Sequence, residues 1–324
     1  MNLKKKDKEL IQKEAELQKQ QLESKQKSLE RNGFIVGFLF MMLFAFFIFR
    51  SLQQNKKKNK IISAQKQLVE AKNKDISDSV AYAKRIQSSF LTSEAYIKRY
   101  LPEYFILYKP RDVVSGDFYW MHQQNDYLYF CIADCTGHGI PGAFMSLIGM
   151  GVLNEIIYSK QINDTNAILD ELRRIVILAL NPEGALEEGK DGMDLILGRL
   201  HLKTKELQYS AAYNPFYVYQ NGKLVKYKAD KMPVGKYAES EKPFTQFTIQ
   251  LSTGDIIYAS TDGFRDQFGG EKGKKFMSGK FETYLLSITH EALDEQKGLL
   301  EKEFLKWKGN YEQVDDVCVF GVRV

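Results

Sequence analysis

The chain has 324 residues, is 44% hydrophobic and 27% charged, and carries a net charge of +5. That length accommodates one large globular domain plus an appendage, and the composition argues against a disordered chain. The charge is uneven: residues 1–74 hold 17 Lys/Arg against 7 Asp/Glu, leaving 29 against 34 in residues 75–324. A mildly acidic globular part argues against nucleic-acid binding, and three cysteines, Cys131, Cys135 and Cys318, without a CxxC pair argue against a disulfide framework or a zinc site.

Residues 1–32 are rich in Lys, Gln and Glu and read as a charged, solvated helix. The run Gly33–Phe49 contains no charge between Arg31 and Arg50, and residues 33–52 are expected to form a single transmembrane helix. Lysines after the span outweigh those before it, which places the C-terminal part in the cytoplasm. Over residues 53–100, Ile62, Val69, Ile76, Ala83 and Phe90 recur every seven residues. This pattern fits a helical, coiled-coil-like stalk that pairs with a second copy of the chain, or an amphipathic helix packed on its own domain.

Residues 101–324 have the texture of a globular domain. Short apolar strands are expected at 104–108, 118–122, 127–134, 195–202, 207–211, 216–219, 224–227, 244–250, 256–260 and 317–322. Helices are expected near 141–158, 165–179 and 293–307, so the order is strands, a helical pair, more strands, a helix and a last strand. That order predicts an α+β fold with antiparallel sheets rather than a doubly wound nucleotide fold, and no Walker A loop is present.

Four aspartates sit where an apolar strand ends or a glycine-bearing turn lies alongside: Asp117 in VVSGDFYW, Asp134 in IADCTGHGIPGA, Asp262 in IIYASTDGF and Asp315 in QVDDVCVFGV. Singly, each reads as a turn residue or a cap. Together they point to a hard-metal site, because Mg²⁺ and Mn²⁺ take oxygen ligands and retain water, so a few carboxylates suffice.

The series SGDFYW, ADCTGHGIPGAFMS, DGMD, AAYNP, TDGFRDQFGG and DDV resembles, in order and spacing, the SpoIIE-like branch of the PPM metal-dependent protein phosphatases, from about residue 76 to the C-terminus. The resemblance implies an α-β-β-α sandwich of two antiparallel sheets flanked by helices, two Mn²⁺ or Mg²⁺ ions and hydrolysis of phosphoserine or phosphothreonine. Carried over, Asp134 bridges both ions, the Cys135 carbonyl binds one of them, Asp262 and Asp315 hold the other, and Asp117 completes the shell directly or through water. Asp134 and Asp262 are then the catalytic pair. Asp316 is an alternative to Asp315. Asp191 and Asp194 are candidates for a third ion or for substrate contact, or form a turn before a strand. Arg111 is a phosphate ligand or a solvated loop residue. His138 is a proton donor to the leaving oxygen or packs where a loop feeds a helix. Where relatives often have AGHNP this chain reads AAYNP, so no role carries over to that position, and residues 231–242 form a possible flap without sequence features that name a substrate.

The expected function is therefore a membrane-anchored serine/threonine phosphatase. It acts on a cytoplasmic signalling partner such as an anti-sigma-antagonist-like domain and is regulated through its helical stalk. The alternative is a catalytically inactive phosphoprotein-binding module of the same fold. A histidine kinase does not fit, since no histidine precedes His122.

Overall fold

The computed structural model describes residues 3–181, 191–237 and 242–324. The chain divides into two units at Ile76/Ser77. Helix α1 (Leu3–Phe90) supplies the whole described part of the first, and its exposed phenylalanines and leucines between Phe34 and Phe49 have no covering partner among the described residues. The window around this run has a mean hydropathy of 2.3, with length and apolarity enough to cross a bilayer. Ile62, Val69 and Ile76 are also exposed.

In the second unit the end of α1 is followed by α2 (Glu94–Tyr100), so residues 53–100 are helical apart from a short break. Ser93 caps α2 by accepting the Tyr96 N–H, and the three residues Leu91–Ser93 break the helix. Along this end of α1, Val80 and Ala83 are half-buried and Gln87 is buried, so the last turns do pack on their own domain.

The strands then follow: β1 (Tyr104–Lys109), β2 (Phe118–Gln124) and β3 (Tyr127–Cys135). Next come α3 (Gly139–Asn154), a π-helical turn (Glu155–Ser159) and α4 (Thr165–Leu180). After these lie β4 (Gly192–His201), β5 (Glu206–Ala212), β6 (Phe216–Gln220), β7 (Lys223–Tyr227), β8 (Val234–Gly235), β9 (Phe247–Gln250) and β10 (Ile256–Ser260). The chain closes with α5 (Gly263–Asp266), β11 (Phe268–Gly269), β12 (Lys274–Lys275), α6 (Ser278–Ile288), α7 (Leu293–Lys308) and β13 (Val317–Arg323). Helices α5 and α6 lie beyond the sequence expectation. The strand expected from Phe244 begins at Phe247, because Phe244 is buried beneath the Arg173 guanidinium, 4.7 Å from its ring centre. Within the expected flap, residues 238–241 lie outside the described residues, and Val234–Gly235 pair with β4.

Two antiparallel sheets form the frame, one ordered β1-β13-β10-β6-β7 and the other β2-β3-β4-β5-β9, with β8 paired to β4. The period-two alternation of β3 explains the layering. Phe130 and Ile132 face the second sheet and join Phe216, Ile257 and Phe320 in the core between the sheets. Tyr129, Cys131 and Ala133 face the other way, against Met150, Leu153 and Leu172 of the helical pair. On the far side of the second sheet, Phe281, Leu285, Leu300 and Phe304 pack on Tyr258 and Val319. A strand buried on both faces reads as a continuous apolar run, which is why β3 shows no polar alternation. Helix α3, also apolar enough to span a membrane, is half-buried here as a core helix.

Strand β2 lies at a sheet edge, where unpaired backbone invites association. Thr92 covers it: its hydroxyl accepts the Met121 N–H (2.8 Å) and contacts the Met121 carbonyl, while the Tyr96 hydroxyl accepts the Gln123 N–H (3.0 Å). The break between α1 and α2 is thus fastened to the strand that begins with Phe118, next to Asp117.

Candidate metal centre

Five strand ends deliver carboxylates to one edge of the sandwich. Asp117 precedes β2, Asp134 is the penultimate residue of β3, Asp194 lies near the start of β4, Asp262 follows β10, and Asp315 precedes β13. Asp134 and Asp194 are direct cross-strand partners, a like-charge pairing that is unfavourable unless a proton or cation intervenes.

The electrostatics record this convergence. Burial, then Asp134, raises the Asp117 carboxyl well above the usual range, opposed by a hydrogen bond from Thr261. Burial, then Asp262, Asp315 and Asp194, does the same to Asp134. Asp194 is pushed up to about 7 by burial and Asp262, and Asp315 is raised by burial with Asp262 and Asp316 adding. Among the described residues, no hydrogen bond reaches the Asp262 carboxylate, and Asp134 Oδ2 accepts only the Asp262 N–H, at a long 3.5 Å.

The surrounding loops are braced by groups that do not face the cluster. Asp117 Oδ2 accepts from Thr261 Oγ1 (2.6 Å), and the same hydroxyl accepts the Cys318 N–H (2.9 Å), tying the two sheets together beneath the site. Asp316 is buried and committed to backbone: Oδ1 accepts the Arg111 N–H and Oδ2 the Gly116 N–H, both at 2.7 Å. Asp315 spends one oxygen on the Asp316 N–H (2.8 Å) and lies within the field of Asp134, Asp262 and His138. The adjacent pair is thereby divided, with Asp316 a loop brace and Asp315 facing the carboxylates. Gly116 permits the closeness, since a Cβ there would stand 2.5 Å from the Gly137 carbonyl oxygen and 3.2 Å from that of Cys135.

The remaining sequence candidates are scattered around this edge. The Cys135 side chain is buried in the core against the helices, and burial, then Asp134, pushes its thiol up. His138 Nδ1 lies 2.8 Å from Asp112 Oδ2, with both side chains half-exposed. The Arg111 guanidinium donates to the Val314 carbonyl (2.8 Å) and so holds the Asp315–Asp316 loop. Asp191 is exposed ahead of β4.

Sequence reasoning missed two buried polar residues. Gln87 Nε2 donates to the Ser115 carbonyl (2.6 Å) and to Ser146 Oγ (2.8 Å), while its Oε1 accepts the Ser115 N–H (3.1 Å). It therefore links α1, α3 and the loop carrying Asp117, and a glutamine in a charged helix gives no signal of this. Arg265 is buried, and its Nη2 donates to Asn214 Oδ1 (3.0 Å). The only hint was the placement of both residues in the quoted motifs.

Hard divalent cations suit this donor set. Among the described residues no three His, Cys, Asp or Glu side chains close into a finished cage. An open arrangement of mutually repelling carboxylates is nevertheless what Mg²⁺ or Mn²⁺ accepts, since these ions fill vacant positions with water.

The profile of the family described as stage II sporulation protein E (SpoIIE) matches residues 124–324. The fold is similar to the SiaA PP2C domain of Pseudomonas aeruginosa, with a TM-score of 0.69 and 30% identity, covering 78% of this chain and 98% of that one. It is similar also to the PP2C phosphatase domain, with a fragment of the regulatory domain, of SpoIIE from Bacillus subtilis (TM-score 0.57, 19% identity, 68% of this chain and 63% of that one). A third similar structure holds the RsbU and RsbW domains of a Mycobacterium tuberculosis protein (TM-score 0.54, 19% identity, 69% and 60%). The likeness to these last two is one of fold. No curated protein matches the chain in sequence.

The division between the two terminal aspartates has a measurable consequence. Asp316→Ala strands two backbone donors and is expected to lower stability by about 2 kcal/mol in metal-free urea unfolding. Asp315→Ala removes a repelled carboxylate and is expected to leave that stability unchanged or raised. The reverse order would assign the brace to Asp315.

Proposed function

The chain belongs to the SpoIIE family of PP2C-type serine/threonine phosphatase domains, and on that premise we propose that it is an active, metal-dependent protein phosphatase anchored in a membrane. The observation that carries the proposal is the convergence of Asp117, Asp134, Asp194, Asp262 and Asp315 at one edge of the sandwich. A module that merely binds phosphoproteins gains nothing from such a set, because clustered negative charge repels the phosphate it must hold. Bound Mn²⁺ or Mg²⁺ would offset that charge and would supply water activation and charge neutralisation at the phosphoryl group.

The chain's own residues do the rest. Asp134, Asp262 and Asp315 would hold the cations with the Cys135 carbonyl, and Asp117, which accepts from Thr261, would complete the shell directly or through water. Asp194 serves a third ion or the substrate side. With His138 Nδ1 donating to Asp112, Nε2 is the nitrogen that in the doubly protonated imidazolium gives a proton to the departing serine or threonine oxygen, leaving the neutral ring. Arg111, occupied with the Val314 carbonyl, braces the loop and does not bind phosphate.

Anchoring rests on the exposed apolar stretch of α1, whose burial in lipid removes large phenylalanine surfaces from water. Lysines following the stretch orient the phosphatase domain toward the cytoplasm. Ile62, Val69 and Ile76, exposed at heptad spacing, form the seam of a paired stalk, and Gln87 passes its state to the loop bearing Asp117. The substrate is a phosphoserine or phosphothreonine on a small signalling domain of the anti-sigma-antagonist type.

Full-length protein in detergent micelles is expected to release phosphate from a phosphoserine peptide only with Mn²⁺ or Mg²⁺. Asp134→Ala and Asp262→Ala are each expected to lower kcat at least 100-fold while remaining folded by circular dichroism, an order set by losing a group that stabilises transition-state charge. Full activity in both would dismiss the site. For the anchor, alkaline washing of membranes should leave the full-length chain in the pellet, and its release into the supernatant would refute a spanning helix.

A further inference from the structure

Tyr213 follows directly on β5, whose last residue, Ala212, pairs with Leu195 of β4. The neighbour of Leu195 is Asp194, which pairs in turn with Asp134. Moving outward from the carboxylates across three strands, the side chains therefore pass from half-buried Asp134 and Asp194 to Tyr213, which is 43% exposed. The phenol of Tyr213 stands beside that of Tyr237, also exposed, and within the field of Asp194.

The backbone of Tyr213 is strained. Its φ is +52°, and the Asn214 N–H donates to the Ala212 carbonyl at 2.5 Å, closing a three-residue turn centred on the tyrosine. Bulky residues are disfavoured in this region, where glycine or asparagine would hold the same turn at lower cost. The turn is locked from several sides. The Tyr213 N–H donates to the Asp230 carbonyl (2.9 Å), the Asp230 N–H to the Ala211 carbonyl (2.9 Å), and the buried Arg265 grips the Asn214 side chain (3.0 Å). Asn214 Nδ2 also reaches the Asp194 carbonyl, at 3.5 Å. An exposed ring contributes little to the core, so the fold gains little from a tyrosine here, yet the surrounding bonds hold it in a costly conformation at the mouth of the carboxylate edge. Strain of this kind accompanies function more than stability.

We infer that Tyr213, together with Tyr237, contacts the polypeptide substrate and selects for bulky apolar side chains flanking the phosphorylated residue. Two tyrosines offer a broad, amphipathic contact surface with few rotatable bonds, suited to covering an apolar flank while their hydroxyls stay wet. A phosphate ester without flanking residues offers no side chain for the two rings to cover. The inference rests on the phosphatase reading above and adds its substrate preference.

The test uses the full-length chain in detergent micelles with Mn²⁺ and three substrates: a phosphoserine peptide flanked by leucines, the same peptide flanked by glycines, and p-nitrophenyl phosphate. The native protein is expected to favour the leucine peptide about tenfold in kcat/KM, chiefly through KM, the scale of a modest apolar contact. Tyr213→Gly should bring that ratio to within twofold of unity with a thermal midpoint equal to or above the native one, since strain is relieved. Tyr213→Phe should restore the ratio. The inference is overturned if the native protein shows no preference, if Tyr213→Gly keeps it, or if Tyr213→Gly lowers kcat alike on all three substrates, as a structural role would. Failure of the native protein to hydrolyse any of the three, p-nitrophenyl phosphate included, removes the phosphatase reading itself and this inference with it.

Discussion

Repulsion among carboxylates is the constraint around which the phosphatase domain is organised. Asp134 lies opposite Asp194 across a β-ladder and within the fields of Asp262, Asp315 and Asp117, and burial removes much of the water that would screen them. Two unit charges about 4 Å apart repel by about 4 kcal/mol at an effective dielectric constant of about 20, a cost that a cation or a shared proton must offset. A domain of ordinary stability, about 5–15 kcal/mol, bears such a cluster only on a frame that does not yield. Strand ends in two packed sheets provide that frame: Asp134 and Asp194 sit within a ladder, and Asp117, Asp262 and Asp315 lie within two residues of a strand.

The polar groups around the site make sense as supports for that geometry. Thr261 joins the ends of β10 and β13 beneath Asp117, Asp316 gathers two backbone amides from the loop before β2, and Arg111 fastens the same loop to Val314. The bonds of Thr261 and Asp316 are buried or partly buried, so the loss of either side chain leaves unsatisfied partners, whereas the Arg111 bond is exposed. Gln87 is the exception in kind: it belongs to the long helix and not to the sandwich, and its three hydrogen bonds join that helix to α3 and to the loop carrying Asp117. Tyr213 follows β5, three strands away from the β2 edge that Asp117 precedes.

Much of this was legible in the sequence. Strands β3, β10 and β13 announce themselves as apolar runs, and their aspartates stand out because a carboxylate seldom ends such a run without a task. Order and spacing of the motifs gave the fold. What stayed hidden depended on direction or distance along the chain. Asp315 and Asp316 are adjacent, and only coordinates show which one turns toward the backbone amides. The partners of Gln87 are 28 and 59 residues away, and nothing local distinguishes it from the solvated glutamines around it. The stalk reads as continuous because Leu91–Ser93 contain neither glycine nor proline; a hydroxyl cap and the docking of Thr92 on β2 end the helix instead. Tyr213 is silent for a related reason, since a positive φ at a tyrosine is imposed by its neighbours and not by its own preference.

The central claim is that the carboxylate cluster is destabilising by itself and becomes stabilising with a divalent cation. Thermal unfolding of the full-length chain in micelles, with EDTA or with Mn²⁺ at about 100 times its dissociation constant, measures this directly. The native protein should gain about 2.7 kcal/mol from the ion, whereas Asp134→Asn should unfold at a higher temperature than the native protein in EDTA and gain little or nothing from Mn²⁺. A native protein indifferent to Mn²⁺, or an Asp134→Asn variant less stable than native in EDTA, would contradict it.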